Sequence, residues 1–456
     1  MTRLAAVLSA IGLFFLYFFG LTRTGLLGPD EPRYAAIGRT MASTGDWITP
    51  RLWGQPWFEK PALLYWMTAS GFKAGLGPDL APRLPVAFLS VVFLIYFFVM
   101  LRREFGGRAA WYSAAILATS AGWLVYSHVA ITDLPMSAAF AAAMLLACSS
   151  EPRASASRSI AAGLFLGLAV LAKGLVPLVL FIPALWFLRH RIRDLVLLFL
   201  AAALIAAPWY VLVTLRNGKP FLDDFFWKHH FGRFVSGALL HGQPFWFYVP
   251  VLLAGLFPWI PMVALLFSRR LYRDRRAQFL LAWFAWGFLF FSASRNKLPG
   301  YLLPLLPAVA ALLGIAIAQA QARSPKMMLL LAASAALLGL VPALSDALPR
   351  LLVVGISRTQ FHLAGIWVIP AAALAVLCAL FERTARRDAA VGLVALSVTI
   401  SVVALAWRVY PLLDQELSGR PLWLAQGQPI TCVPPTNRSR RDSIRYYAGQ
   451  NLPDCK

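Results

Sequence analysis

The chain has 456 residues, 60% of them hydrophobic and only 13% charged, with a mean hydropathy of +0.68. Soluble domains are nearer half apolar and a quarter charged, so the composition excludes a soluble globular fold and indicates an all-α polytopic membrane protein. The formal net charge of +23 does not point to nucleic acid. Its Lys and Arg fall between hydrophobic blocks, as in cytoplasmic loops, and form no basic stripe on a soluble domain.

The opening segment, MTRLAAVLSAIGLFFLYFFGL, has a charged start but a long core and no small-x-small cleavage site. It reads as a first transmembrane helix, not a signal peptide. Further spans are expected near 84–101, 109–126, 134–148, 160–172, 174–188, 195–214, 246–267, 277–292, 302–318, 327–345, 363–381 and 389–407. With 4–21 that makes about thirteen crossings. The short connections LRREFGGR, RHRIRD, SRRLYRDRR and ERTARRD are rich in Arg and alternate with longer segments of mixed charge. The positive-inside rule puts them, and the N-terminus, in the cytoplasm.

The longer segments, 22–83, 215–245, 292–301 and the tail from Arg408, then face outward, and with them the C-terminus. We read residues 1–407 as the membrane domain and 408–456 as a small outer domain. Within the first loop, 22–83, EPRYAAIGRTMAS and EKPALLYWMTASGF predict two helices lying along the membrane surface. Cys148 and Cys378 fall inside spans as packing residues. Cys432 and Cys455 share the outer tail, where an oxidising compartment lets them pair. One disulfide would help hold a tail with so little core.

Charged residues at the outer boundary carry the chemistry. In GLLGPDEPRYAAIGR, Glu31 has an ordinary reading as a helix cap, Asp30 stands free of the helix to face a cleft, and Arg33 follows on the first turn. In GQPWFEKPALLYW, Glu59 and Lys60 lie among aromatic residues, where capping and snorkelling are the bland alternatives. Asp133 in YSHVAITDLPM either caps the next span or is a functional acid at the membrane boundary. Lys173 in LAVLAKGLVPLVL has no counter-charge nearby in sequence and requires an anion or water. DDFFWKHHFGRFVSG adds His229, His230 and Arg233, and SASRNKLPGYLLPLLP adds Arg295 and Lys297. Carboxylates beside cations suit transfer to a hydroxyl with a phosphate leaving group. A carboxylate accepts the hydroxyl's proton, and fixed cations stabilise the departing phosphate. The boundary position suggests that the phosphate is carried on a lipid.

These residues resemble those of the GT-C superfamily of polytopic glycosyltransferases. The nearest likeness is to the bacterial branch with the lipid A aminoarabinose transferase, related to the dolichyl-phosphate-mannose protein mannosyltransferases. The likeness rests on Asp30-Glu31-Pro32-Arg33-Tyr34-Ala35, Glu59-Lys60-Pro61-Ala62, Asp133 in TDLPM, and Lys173-Gly174. It continues in the pattern of Trp227, His230, Arg233 and Phe234, and in the element from Lys297 to Pro307. It covers residues 1–310 and finds no counterpart beyond.

The resemblance implies an inverting transfer of a sugar from a polyprenyl (undecaprenyl) phosphate to lipid A or another envelope glycan or glycolipid. The setting it implies is the periplasmic face of a bacterial inner membrane, among membrane lipids. It assigns Asp30 and Asp133 to catalysis, Asp30 as base and Asp133 orienting the acceptor or the cations. Arg33, Lys60, Lys173, Arg233 and Lys297 are assigned to the substrate phosphate. Glu59 and His230 correspond to residues that contribute to a bound metal. Zinc is one candidate, but two ligands are too few for a closed site, and no other cofactor is expected. The alternative is a transporter or flippase of a lipid-linked sugar, although the sequence shows no internal repeat of the kind such proteins carry.

Overall fold

The computed structural model describes residues 3–148, 156–232, 242–354, 358–362, 364–425 and 431–455, without the side chains of 3–6, 229–232 and 354. Helices dominate it. The only sheet among the described residues is a hairpin pairing Arg51–Leu52 (β1) with Gln55–Pro56 (β2). Eight helices among the described residues are long and apolar enough to cross a membrane, and three more are apolar but shorter. Every stretch read as a span contains helix, though several are interrupted. The stretch 174–188 is two short helices, Val176–Leu180 and Ile182–Leu188, each with a proline in its first turn. Pro258 follows the end of Tyr248–Leu256. A proline supplies no backbone donor, so the helical ladder breaks there.

Four elements frame one end of the bundle. They are α1 (Arg3–Tyr17), α2 (Asp30–Thr44), α3 (Leu63–Lys73) and α4 (Leu80–Phe105). α2 and α3 are the two helices expected in the first loop. Further along, Ala156–Lys173 packs closely on Ile192–Asn217 because Gly163 and Gly167 present no side chain. A Cβ on Gly163 would lie 2.1 Å from the Leu198 carbonyl oxygen, and one on Gly167 2.6 Å from that of Ala202. This small-xxx-small contact fixes the helix that ends at Lys173.

The connections sort to the two ends of the bundle as the alternating pattern requires. At one end the Arg-rich connections meet their acids: Arg158 and Arg276 reach Glu104 at 3.0 and 3.5 Å, and Arg387 pairs with Glu382. At the other, Arg216 reaches Asp46 at 2.8 Å, Asn217 donates to Thr49, and Gly242 bridges to Asn296. The tail joins this second end. The Tyr446 hydroxyl donates to the Pro78 carbonyl (2.6 Å), and Arg420 donates to the Thr22 carbonyl (2.7 Å). Cys432 and Cys455 form a disulfide beside a small core of Val433, Ile444 and Leu452, while Cys148 and Cys378 are buried and free.

Glu31 is not a simple cap. It forms a buried, two-pronged ion pair with Arg83 on the first turn of α4, at 2.7 and 2.8 Å. Arg83 spends its remaining donors on the carbonyls of Leu21, Thr24 and Gly25. Glu31 in turn accepts the backbone N–H groups of Leu27 (2.8 Å) and Ala130 (2.9 Å). Removing one partner of a buried pair strands the other charge, at a cost of about 3–5 kcal/mol. Glu31→Gln is therefore expected to lower the melting temperature of the purified protein sharply. An unchanged melting curve would show that the pair is not structural.

Candidate active site

α2 begins at Asp30 itself, with Asp30 and Glu31 in its first turn, where the helix dipole favours negative charge. The sequence reading left Asp30 outside the helix. The structure starts the helix two residues before Pro32, at Asp30, and pairs the half-exposed Asp30 carboxylate with Arg33, one turn on. Arg33 is largely buried. Its Nε donates to the Pro29 carbonyl at 2.7 Å, its guanidinium lies 5.4 Å from the centre of the Trp57 ring, and Asp442 of the tail stands 3.7 Å away. Burial works against the Arg33 charge, but Asp30, Glu59 and Asp442 outweigh it and hold the guanidinium more firmly protonated than usual. Glu59 and Lys60 are 3.4 Å apart and mostly buried. The Tyr34 and Tyr65 hydroxyls titrate well above their ordinary value, first because they are buried and then because Asp30 and Glu59 bring negative charge close. Asp30, Arg33 and Glu59 therefore lie close together, with Lys60 beside Glu59.

A second acid–cation pair lies nearby. Asp133 opens the helix Asp133–Ala147 without making a cap hydrogen bond. Its carboxylate instead accepts from the Lys173 ammonium at 2.6 Å. The counter-charge missing from the sequence around Lys173 is thus supplied by Asp133. Tyr301 adds its ring face 4.8 Å from the same ammonium. Gly300 is needed for that closeness, since a Cβ there would sit 2.5 Å from Asp133 Oδ1 and 2.7 Å from the Tyr126 hydroxyl.

Two links tie the pairs together. The Ala130 N–H, three residues before Asp133, donates to Glu31, the neighbour of Asp30. Phe58 and Ala62, flanking Glu59 and Lys60, share a hydrophobic cluster with Val170 and Leu171, which lie within a turn of Lys173.

The other predicted residues sit differently. Lys297 is buried and donates to the carbonyls of Ser294 and, at 3.1 Å, Gln243, tying segment 292–301 to segment 242–245. Arg233 and the side chains of His229 and His230 lie outside the described residues. Among the described residues no group of three His, Cys, Asp or Glu is placed to hold a metal. Glu59 carries an ammonium as neighbour, so the described residues do not make up a zinc ligand set. Asp442 escaped the sequence reading, since nothing in RSRRDSIRYYA marks which of its charges reaches back to residue 33.

An all-helical membrane bundle that gathers acid–cation pairs at one end, under a long first loop, is the GT-C architecture of polytopic glycosyltransferases. Residues 4–218 match the family model for dolichyl-phosphate-mannose-protein mannosyltransferase. The chain is 31% identical over 328 residues to undecaprenyl phosphate-alpha-4-amino-4-deoxy-L-arabinose arabinosyl transferase 2 of Proteus mirabilis, covering 68% of this chain and 59% of that protein. It is 34% identical over 336 residues to the arabinosyl transferase of the same description from Edwardsiella ictaluri, covering 69% and 59%. The chain thus spans about three fifths of the length of these curated relatives. It superposes on ArnT from Cupriavidus metallidurans bound to undecaprenyl phosphate with a TM-score of 0.76 and 27% identity, over 99% of this chain and 86% of that one. The oligosaccharyltransferase AglB from Archaeoglobus fulgidus shares the fold alone, at a TM-score of 0.55 and 16% identity over 97% of this chain and 63% of that one. The chain has the GT-C fold and is similar in sequence to the aminoarabinose transferases over about two thirds of its length, and it is a multi-pass protein of a bacterial inner membrane.

Gly300→Ala tests the second pair. The added methyl pushes Asp133 Oδ1 off Lys173, so turnover is expected to fall by about tenfold or more, ~1.4 kcal/mol of barrier, at an unchanged melting temperature. Full activity would show that the Asp133–Lys173 contact is dispensable.

Proposed function

We propose that the protein moves a sugar, with inversion, from a polyprenyl (undecaprenyl) phosphate to a hydroxyl of lipid A or a related envelope glycolipid or glycan, at the periplasmic face. The observation that carries this reading is the gathering of Asp30, Arg33, Glu59 and Lys60, joined through Glu31 and Ala130 to Asp133 and Lys173, at the non-Arg-rich end of the bundle. The likeness to a protein crystallised with undecaprenyl phosphate supports it.

In the resting arrangement each cation is held by a carboxylate. A donor phosphodiester entering beside Arg33 and Lys60 offers both cations anionic oxygens and draws Arg33 from Asp30. Asp30 is then free to accept a proton. The acceptor hydroxyl attacks the anomeric carbon from the face opposite the phosphate, its O–H proton passes to Asp30, and the C–O bond to phosphate breaks. Polyprenyl phosphate leaves with the bonding electrons, its charge met by Arg33, Lys60 and Lys173. Asp133 keeps Lys173 aligned. Arg233 is assigned to the same phosphate. Lys297 would join it only by releasing two carbonyls, and in this arrangement it anchors the segment that carries Gly300 and Tyr301. The Arg-rich end lies in the cytoplasm with the N-terminus, and the disulfide-bonded tail, residues 408–456, lies outside as a small domain on the membrane domain 1–407.

Deleting the gene and comparing lipid extracts by mass spectrometry tests the proposal. One glycosylated lipid or glycan is expected to vanish and its polyprenyl-phosphate sugar to accumulate, with rescue by wild type but not by Asp30→Asn. Rescue by Asp30→Asn would exclude Asp30 as the base.

A further inference from the structure

The tail helix Arg438–Ala448 carries one acid, Asp442, among Arg438, Arg440, Arg441 and Arg445. The bland reading is an acid that balances the arginines of its own helix. Three of them point elsewhere or stand in solvent. Arg441 and Arg445 lie 3.5 and 3.4 Å from Asp454, and Arg438, 3.9 Å from Asp442, is mostly exposed, where such a pair contributes little. The Asp442 side chain is only 12% exposed, and its Oδ2 lies 3.7 Å from Arg33 Nε.

That oxygen is buried and makes no hydrogen bond among the described residues. A buried acceptor without a donor is costly and calls for a reason. Burial raises the Asp442 carboxyl above its ordinary value, and Arg33 is first among the charges that oppose the rise. The donor facing it is engaged elsewhere. Arg33 Nε is held by the Pro29 carbonyl at 2.7 Å, and the end of the guanidinium by Asp30. An N–H···O bond closes at about 2.9 Å, so roughly 1 Å of movement would complete the contact.

The carboxylate is poorly placed to make that movement. Its helix is pinned on both sides of the site, by Ser443 donating to the Leu26 carbonyl at 2.9 Å and by Tyr446 donating to the Pro78 carbonyl at 2.6 Å. The Cys432–Cys455 disulfide closes the loop that contains it. Arg33, at the end of a long side chain, is the member of the pair that can shift.

Arg33 thus stands between two acids, Asp30 on its own helix and Asp442 on the tail. We propose that Asp442 is a positioning residue for Arg33: it takes up the guanidinium when a donor phosphodiester parts it from Asp30, which leaves Asp30 unpaired to accept the hydroxyl's proton. The inference rests on the transferase reading, with Asp30 as base. Without the Asp442 charge, the phosphate and Asp30 share Arg33, and the base keeps its cation. The phosphate also loses a competitor for Arg33 and binds more tightly. Turnover and phosphate affinity then move in opposite senses. Damage to a tail that merely props the site would weaken both.

The test uses the full chain purified in lipid nanodiscs. Undecaprenyl phosphate is the binding probe, and the polyprenyl-phosphate sugar identified from the lipid profile is the donor for turnover. Asp442→Asn keeps the size and shape of the side chain. It is expected to lower kcat by about tenfold and to tighten undecaprenyl phosphate binding by about threefold, at an unchanged melting temperature. Asp442→Glu retains the charge and is expected to keep kcat within about threefold of wild type. An unaltered kcat or weaker phosphate binding in Asp442→Asn, or an equal loss of kcat in Asp442→Glu, would overturn the inference. Absence of turnover in the wild type would instead fail the transferase reading, and the binding measurement would still decide whether Asp442 competes for Arg33.

Discussion

The Glu31–Arg83 ion pair is the constraint on which the rest of the site's end of the bundle depends. A buried carboxylate and guanidinium are tolerable only when each hydrogen bond is made, and here four separate stretches of chain supply them. Segment 21–27, the start of α2, the start of α4 and the turn before Asp133 all converge on the pair. Asp30 follows from this directly, because it is the residue before Glu31. Asp133 follows three residues from the Ala130 N–H. Two acids that lie about a hundred residues apart in sequence are thereby held to one framework without touching each other.

The tail reinforces the same frame from outside. Asp414 accepts from the Gly25 N–H at 2.6 Å and Ser443 donates to the Leu26 carbonyl at 2.9 Å. Arg420 joins Asp414 to Asp79, the residue before α4. Its helix Arg438–Ala448 then places Asp442 beside Arg33 and Tyr446 against Arg39. The last stretch of the chain, with no motif of its own, so closes one side of the site. Charge placement along the membrane axis separates this arrangement from a translocation route, which needs polar groups through the depth of the bilayer. The acid–cation pairs named for the site all lie at the end opposite the Arg-rich connections.

Much of this was legible in the sequence. Hydropathy and Arg-rich connections gave the helical membrane class and the sorting of loops, since lipid allows few other solutions. The order of short motifs gave Asp30, Glu59, Lys60, Asp133 and Lys173 as one set. Pairing was not legible, because an ion pair such as Asp133–Lys173 depends on which helices pack together, and the stretch around neither residue states that. Glu31 was read as a cap because its partner lies 52 residues away. Broken spans were missed where prolines interrupt apolar runs of sufficient length.

The stereochemistry of the product tests the central claim most directly. With purified protein in lipid nanodiscs, a polyprenyl-phosphate sugar of known anomeric configuration and the acceptor identified from the lipid profile, the new glycosidic bond can be assigned by NMR. A single displacement with Asp30 as base predicts inversion at the anomeric carbon, with polyprenyl phosphate released in equal amount. Retention would require a covalent or doubly displaced intermediate and would contradict the account.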